Sequence, residues 1–506
     1  MQTMTRREMI AFGGLAAITG VAPLRAALAQ GRDTVTIAFP ADVPTWDPNA
    51  RTSPVGHAVY KCVFDQPLEQ APDLARQPGV ITRWSWSSPT TLDLEFRPDV
   101  VFHDGTPFTS ADFRWTFHER PKGPVRLDTT GLWRRLQEID TPSPTRATMR
   151  FTEPFPSAVS WLHFLASFIV PKAYMERVGL EAFIRQPIGS GPYKLVEYQQ
   201  GSRIVLEAHD RYWGGTPAFR RVVFEIARDF SARSAAIEAR RVDAAVELPV
   251  REATRLGQVA GLSSRIEGFT DIFLLQISNT GPFQDERVRL AAHHAIDKAA
   301  LSRALFNGLA KPIAVPAAHG TPGYPDGFDF AHNPQRAGEL LRAAGFSPQN
   351  PARIKFFTTN GSFVGDFDIS RAIDQMWRRV GIQAELETIE VTRYQEALRA
   401  NALPEATIYR WGNSTGDPEM YTGYLLNPSL PFAAWRSADM GERIGRLFVE
   451  TDEAKRFEGY RDLNRYAIEK GYSIPLLQGV VAVAHQAGVP YRHYANGWIL
   501  PATWRA

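Results

Sequence analysis

Residues 411–419 read Trp-Gly-Asn-Ser-Thr-Gly-Asp-Pro-Glu. Trp411 offers a flat apolar platform. Asn413, Ser414 and Asp417 place hydrogen-bond donors and acceptors close behind it. That combination suits recognition of a polar organic molecule. The loop follows an apolar run at 406–411 that reads as a strand, and open α/β sheets present ligands at the carboxyl ends of their strands. Trp411, Asn413 and Ser414 are therefore candidate ligand contacts. For Asp417, which precedes Pro418, a turn cap is the preferred reading and ligand contact the second.

Other residues capable of chemistry carry less. His103-Asp104-Gly105 is turn chemistry on the surface, with glycine free to take a positive φ. Gly189 and Gly191 do not form a phosphate loop, because Pro192 opens a strand where a helix would be needed. His293 and His294 are neighbours on a helical stretch, about 100° apart, and cannot easily share one metal ion. There is no His-Glu-x-x-His, no phosphate loop and no Cys/His cluster. No enzyme activity, cofactor or metal is expected. A hydrolase or peptidase is the alternative from a different class.

Several elements must position these residues. Leu92, Leu94 and Phe96 alternate with polar neighbours as a half-buried strand. Thr109 and Asp112 have capping-box spacing ahead of Phe113 and Phe117. Residues 194–198, 203–209 and 221–227 read as an antiparallel meander, followed by a helix that Ser231 can cap. Trp213 reads as a packing residue against that sheet. Phe273, Leu275 and Ile277 alternate as a strand, with the third block of the chain beginning at Phe269. Residues 285–296 form an amphipathic helix, and Asn333-Pro334 opens another that Gly345 closes. Strand 353–358, helix 369–380 and strand 382–389 form a β-α-β unit, which implies a parallel pair. A helix at 392–399 then leads to strand 406–411.

The N-terminus carries an address. Arg6-Arg7 precedes an apolar run from 10 to 24, and Ala27-Leu28-Ala29 is a small-x-small site. This is a secretory signal peptide of twin-arginine type over 1–29, with cleavage after Ala29. Removing it takes away three arginines and one glutamate, so the net charge falls from +3 to +1. A chain so nearly neutral has no nucleic-acid partner in prospect. The one cysteine, Cys62, excludes an internal disulfide and lies too far from the cleavage site to carry lipid.

The stretch 88–117, Ser-Pro-Thr-Thr-Leu-Asp-Leu-Glu-Phe-Arg-Pro-Asp-Val-Val-Phe-His-Asp-Gly-Thr-Pro-Phe-Thr-Ser-Ala-Asp-Phe-Arg-Trp-Thr-Phe, resembles a family signature. The signature is that of the bacterial extracellular solute-binding proteins of family 5, the dipeptide, oligopeptide and nickel binding proteins of ABC importers. Gly-Ser-Gly-Pro-Tyr at 189–193, Asp-Arg-Tyr-Trp-Gly-Gly at 210–215 and Arg-Val-Asp-Ala-Ala at 241–245 are further blocks of the same resemblance.

The resemblance implies an α/β, two-lobed periplasmic binding protein with mixed sheets. It implies an extra subdomain in lobe I and a hinge of two crossings, near 268–272 and 475–480. Lobe I would comprise 30–55, 186–270 and 476–506, the extra subdomain 56–185, and lobe II 271–475. Such a protein would be a periplasmic monomer that captures a peptide-like or other small polar solute and delivers it to ABC permease membrane subunits. A ligand-presenting sensor or a chaperone on the same fold is the alternative within the class. Trp46, on a lobe I loop, becomes a second cleft candidate. In the dipeptide binders an acid meets the ligand's ammonium and an arginine its carboxylate. Ser414 stands in the place of the acid, and Asn360 aligns with the arginine. A dipeptide without either counter-charge would cost several kcal/mol per buried ion, so an ordinary zwitterionic dipeptide is not the expected ligand.

Overall fold

The computed structural model describes residues 33–125 and 127–505. The signal peptide expected over 1–29, with its cleavage point, lies outside them. The strands, in chain order, are β1 (Thr34–Phe39), β2 (Leu68–Gln70), β3 (Arg76–Pro78), β4 (Ile81–Ser88), β5 (Thr91–Phe96), β6 (Leu136–Ser143), β7 (Arg146–Phe151) and β8 (Tyr193–Gln199). They continue as β9 (Arg203–Ala208), β10 (Arg221–Ile226), β11 (Ala244–Ala245), β12 (Leu262–Ile277), β13 (Ala352–Thr358), β14 (Ile382–Thr388), β15 (Ala406–Trp411) and β16 (Ile474–Gln486). Ten of them form one mixed sheet in the order β14-β13-β15-β12-β16-β11-β1-β10-β9-β8. Strands β4-β5-β7-β6 form a separate antiparallel sheet, and β2 pairs with β3.

The antiparallel meander is β8-β9-β10, and the expected parallel pair is β13 beside β14. Strand β15 also runs parallel to β13. The third block begins earlier than Phe269. β12 starts at Leu262 and pairs with β16 along its length, broken by a register shift between Gly268 and Ile272. The apolar alternation at 273–277 conceals this, because the first half of the strand is only half-buried and mixed in polarity.

Three large apolar cores hold the molecule together, two of them sharing residues of this ribbon. One is built almost wholly from 272–477 and includes Ile272, Phe356, Trp377 and Leu476. A second joins both ends of the chain through Val35, Phe64, Phe224, Val483 and Trp504. A third fills the small sheet with Leu92, Phe113, Trp133 and Trp161, and it also takes in Met420 from the far side of the molecule. Asp366–Val380 packs Ile369, Ile373 and Trp377 inward at helical spacing, against the β13-β14 side. Glu286–His294 and Pro334–Ala343 are capped by Asp285 and Asn333.

Local details refine the sequence expectations. The capping box at Thr109 forms with Asp112. The helix Phe230–Glu238 is capped by Asp229, not Ser231, because the Asp229 carboxylate accepts the Ser231 backbone N–H. His103 is more than a surface turn. Its backbone N–H donates to Gly189 O at 2.8 Å, its Nδ1 accepts from Gly189 N at 3.2 Å and its Nε2 bonds Gly191 O at 3.1 Å. The histidine thus ties the first signature block to the second. Gly189 and Gly191 are needed for close approach: a Cβ on Gly189 would lie 2.1 Å from Val63 O. Trp213 donates to Asp65 at 2.9 Å and lies under the Arg97 guanidinium. His293 stacks on Phe330, as does His294, which also bonds Ala331 O. Cys62 is buried, and burial pushes its thiol pKa far above the usual range.

Candidate functional site

Strands β13 and β15 run parallel, with Phe357 opposite Thr407, so their following loops leave the same edge of the sheet, β15 running three residues farther. The loop after β15 is held by its own side chains. Asn413 is fully buried and spends itself within the loop. Its Oδ1 accepts from Thr415 N, Thr415 Oγ1 and Gly416 N, and its Nδ2 donates to Asp417 O. Trp411 is half-buried, donates Nε1–H to Met420 O at 2.5 Å and packs edge-on against Phe432. Ser414 is 7% exposed, and its hydroxyl has no partner among the described residues.

Asp417 caps the short turn Pro418–Met420 by accepting from Glu419 N. It is also committed to an ion pair. Arg456 grips it with Nη1 at 2.9 Å and Nη2 at 2.5 Å, and reaches Glu419 Oε2 at 3.2 Å. Burial opposes the charge of Asp417, but Arg456 outweighs it and holds the carboxyl below its ordinary pKa. Glu419 is held above its ordinary value, chiefly by burial and further by the charge of Asp417. Ser160, from the region of the third core, donates to Asp417 Oδ2 at 3.3 Å. Trp161 packs on Tyr424, Arg76 pairs with Glu453 and Arg135 reaches Phe448 O. The small-sheet region and the 272–477 region are thus in contact.

Asn360 is exposed on the loop after β13. That loop is ordered by Asp366, whose carboxylate accepts from Thr359 Oγ1, Gly361 N and Ser362 N. Trp46 is 2% exposed in the core joining the chain ends, edge-on to Tyr198, and its Nε1 has no partner among the described residues. The structure therefore brings Trp411, Asn413, Ser414 and Asp417 into one loop, with Asn360 on the adjacent one and Trp46 in a separate core.

Residues outside the expected set also reach this edge. Arg410, one residue before Trp411, donates Nε–H to Asp271 Oδ2 at 2.5 Å. Its Cζ lies 5.3 Å from the Phe269 ring centroid. Burial works against its charge, and the charges of Asp271 and Glu247 outweigh that and raise its pKa. The sequence signal was an arginine at the end of a strand facing an aspartate at the start of an apolar run. The register that brings them together, Ile272 opposite Trp411 and Phe273 opposite Arg410, is set by tertiary pairing.

A sequence profile described as bacterial extracellular solute-binding proteins, family 5 middle, matches residues 75–430. The chain is 22% identical over 510 residues to the glutathione-binding protein GsiB of Escherichia coli K12, covering 97% of this chain and 96% of that one. Its fold is similar to that of NikA from Brucella suis in complex with Fe(III)-EDTA, with a TM-score of 0.84 at 19% identity, over 93% of this chain and 99% of that one. It is likewise similar to the periplasmic binding protein DppA of Helicobacter pylori in complex with the peptide STSA, with a TM-score of 0.81 at 17% identity, over 95% and 99% of the two chains. The molecule has the two-lobed periplasmic-binding fold, and the chain belongs to the bacterial extracellular solute-binding proteins of family 5, which serve ABC importers.

Proposed function

We propose that this chain captures a small polar organic solute between its lobes in the periplasm and hands it to the permease subunits of an ABC importer, without chemistry of its own. The observation that carries this reading is the β12–β16 ribbon. It spans from the core joining the chain ends to the 272–477 core, and its register breaks between Gly268 and Ile272. A two-strand crossing with a bulge bends more easily than a packed core. The proposed hinge lies there, at 268–272 and 475–480, with lobe II at 271–475 and the subdomain at 56–185 moving with lobe I. Ligand contacts on both lobes then favour the closed form, by no more than their differential affinity for the two states.

Trp411, Ser414 and Asn360 are the proposed ligand contacts of lobe II, with Asn413 and Asp417 shaping their loop. The relatives bind a glutathione, a peptide and a metal chelate by their names, which supports a peptide-like or amino-acid-derived solute here. The free hydroxyl of Ser414 and the exposed amide of Asn360 supply no full charge, so an ordinary dipeptide remains a poor fit. Export by the twin-arginine route and cleavage after Ala29 belong to the same reading, as does a monomeric state. The decisive experiment is mass spectrometry of small molecules released from protein purified natively from periplasm, with X-ray scattering before and after reloading. A released solute that compacts the protein supports capture by closure. Turnover of the solute, or tight binding with unchanged dimensions, refutes it. In calorimetry, submicromolar binding of several dipeptides would overturn the ligand reading alone.

A further inference from the structure

We propose that Thr270 is a positioning residue: its hydroxyl fastens the 411–417 loop to the register break in β12, so that a displacement of the loop is passed to the crossing and on to the 492–498 segment. This rests on the solute-binding reading above in treating 411–417 as the loop a solute displaces, and it adds which bond transmits the movement.

Phe269, Thr270 and Asp271 lie between the last paired position of one half of β12 and the first of the other. Buried backbone that leaves a ladder must find other partners. Here they come from two directions. On the side of the chain ends, His493 Nε2 lies 3.2 Å from Gly268 O, and Ala495 O accepts from Thr270 N at 2.7 Å. On the 272–477 side, Tyr421 donates its hydroxyl to Thr270 O, and Thr270 Oγ1 donates to Asn413 O at 2.7 Å. Thr270, 5% exposed, therefore bonds both sides at once. Gln478 steadies the break from β16, donating to Phe269 O at 3.0 Å.

These bonds close into a ring. Ala495 N–H donates to Pro72 O at 2.7 Å, in the turn between β2 and β3. Leu74 of the same turn rests on the 411–417 loop: a Cβ built on Gly416 would lie 3.4 Å from Leu74 Cβ. Leu74 holds φ 69°, a backbone that a bulky side chain takes up only under constraint. The path thus runs from Thr270 to Asn413, along the loop to Gly416, across to Leu74 and Pro72, and back through Ala495.

The Thr270–Asn413 bond is the link that holds the loop as a unit. The Asn413 side chain ties Thr415, Gly416 and Asp417 together, so fastening its carbonyl fastens all of them, and Ser414 with them. The Arg410–Asp271 pair acts one step earlier, where β15 is still in register with β12, and holds the strand. The ladder break supplies the freedom to move, and Thr270 sits in it.

Hydrogen exchange of the full mature chain, read by mass spectrometry without added solute, tests this. Asn413→Ala unties the loop from within, because the Thr415 and Gly416 amides lose their acceptor. It is made in three backgrounds: wild type, Thr270→Ser and Thr270→Val. Valine keeps the shape and removes the donor to Asn413 O. The expected result is exchange roughly tenfold faster at 411–417 in every background. At 492–498 the same acceleration should follow with Thr or Ser at 270 and vanish with Val, while β4–β7 and β13–β14 keep their rates. A threonine that only supports the fold would leave this cycle additive. No response at 492–498 in the wild-type background, or an equal response with Val, overturns the proposal. Should Thr270→Val not melt cooperatively, Thr270→Ala, which also lacks the hydroxyl, takes its place. Since no solute is added, the coupling can fail while solute capture stands. Protein that never carries or binds a solute would instead remove the capture reading and leave the coupling to the exchange data.

Discussion

Replacing Arg456 by Met removes the cation that pairs directly with two buried carboxylates and leaves them only the weaker influence of Arg76 on Asp417 and of Arg135 on Glu419. Arg456 and Glu419 are each 2% exposed, and Asp417 is 8% exposed. Breaking a buried pair by deleting one partner costs about 3–5 kcal/mol, because the partner's charge stays behind. Methionine keeps much of the packing volume, so most of the loss is electrostatic. The pH dependence has a definite sign. In the wild type, Asp417 has a depressed pKa, so its contribution is present above the unfolded value near 4 and is lost on acidification through the folded value. Without Arg456, burial raises both carboxyls above their unfolded values. Each then favours the folded state most when protonated, and loses that contribution as pH rises. The deficit of Arg456→Met should therefore be full near pH 8 and shrink by on the order of 2 kcal/mol on going from pH 7 to pH 5. Equilibrium urea unfolding at several pH values, followed by tryptophan fluorescence, measures it. Adding Asp417→Asn and Glu419→Gln should recover most of the loss at pH 8. A variant within about 1 kcal/mol of wild type at pH 8, or a deficit that grows on acidification, refutes the reasoning.

Other perturbations have equally definite outcomes. His163 is fully buried, and burial, with Arg76 and Lys61 adding to it, depresses its pKa to about 3. Its contribution to stability is present above the unfolded value near 6.5 and is lost as pH falls toward 3, at about 1.4 kcal/mol per pH unit. His163→Phe should flatten this limb of a pH–stability curve, with an unchanged slope as the contrary result. Gly189→Ala forces a Cβ onto Val63 O and should lower stability by about 1–3 kcal/mol, read by chemical denaturation. Ala tolerated there without loss would mean that the two signature blocks are not closely docked. A reporter carrying residues 1–35 should lose export when Arg6 and Arg7 both become Lys; export that survives would remove the twin-arginine assignment.

What could be read from residue order was mostly local. The period of Leu92, Leu94 and Phe96, the Thr109–Asp112 cap and the β13–β14 crossover all depend on neighbours within one or two elements, and each formed. The site was legible only in outline. The loop at 411–417 was found by its residue types, but types do not reveal direction. Asn413 has the chemistry of a ligand contact and turns it inward to tie its own loop. Asp417 has a partner, Arg456, 39 residues downstream, which no spacing rule connects to it. Arg410 was overlooked because strand-end arginines are common. Its value comes from Asp271 and Phe269 on β12, which a sheet register alone brings to it.

The contacts between the two sides bear on the balance of the proposed closure. Arg76–Glu453 is an exposed ion pair, with side chains 32% and 61% exposed, and is worth at most about 1 kcal/mol. Ser160 reaches Asp417 at the long end of hydrogen bonding, 3.3 Å. Met420 and the Trp161–Tyr424 pair supply the apolar part. The Asp417–Arg456 pair itself lies within one side, so it does not drive the proposed closure; Ser160, coming onto Asp417 from the other side, would displace water from that carboxylate. Closure without ligand thus sets modest apolar and polar gains against a desolvation cost. A near-balanced equilibrium is where a solute of ordinary affinity has most leverage, since moving a population from 1:99 to 99:1 takes about 5.5 kcal/mol of differential binding. Asp417→Ala with Ser160→Ala should then shift the unliganded protein's radius of gyration and its apparent solute affinity together, while changes to Trp411 should alter affinity alone. Uncoupled effects of the first pair would mean that the 157–161 contact plays no part in closure.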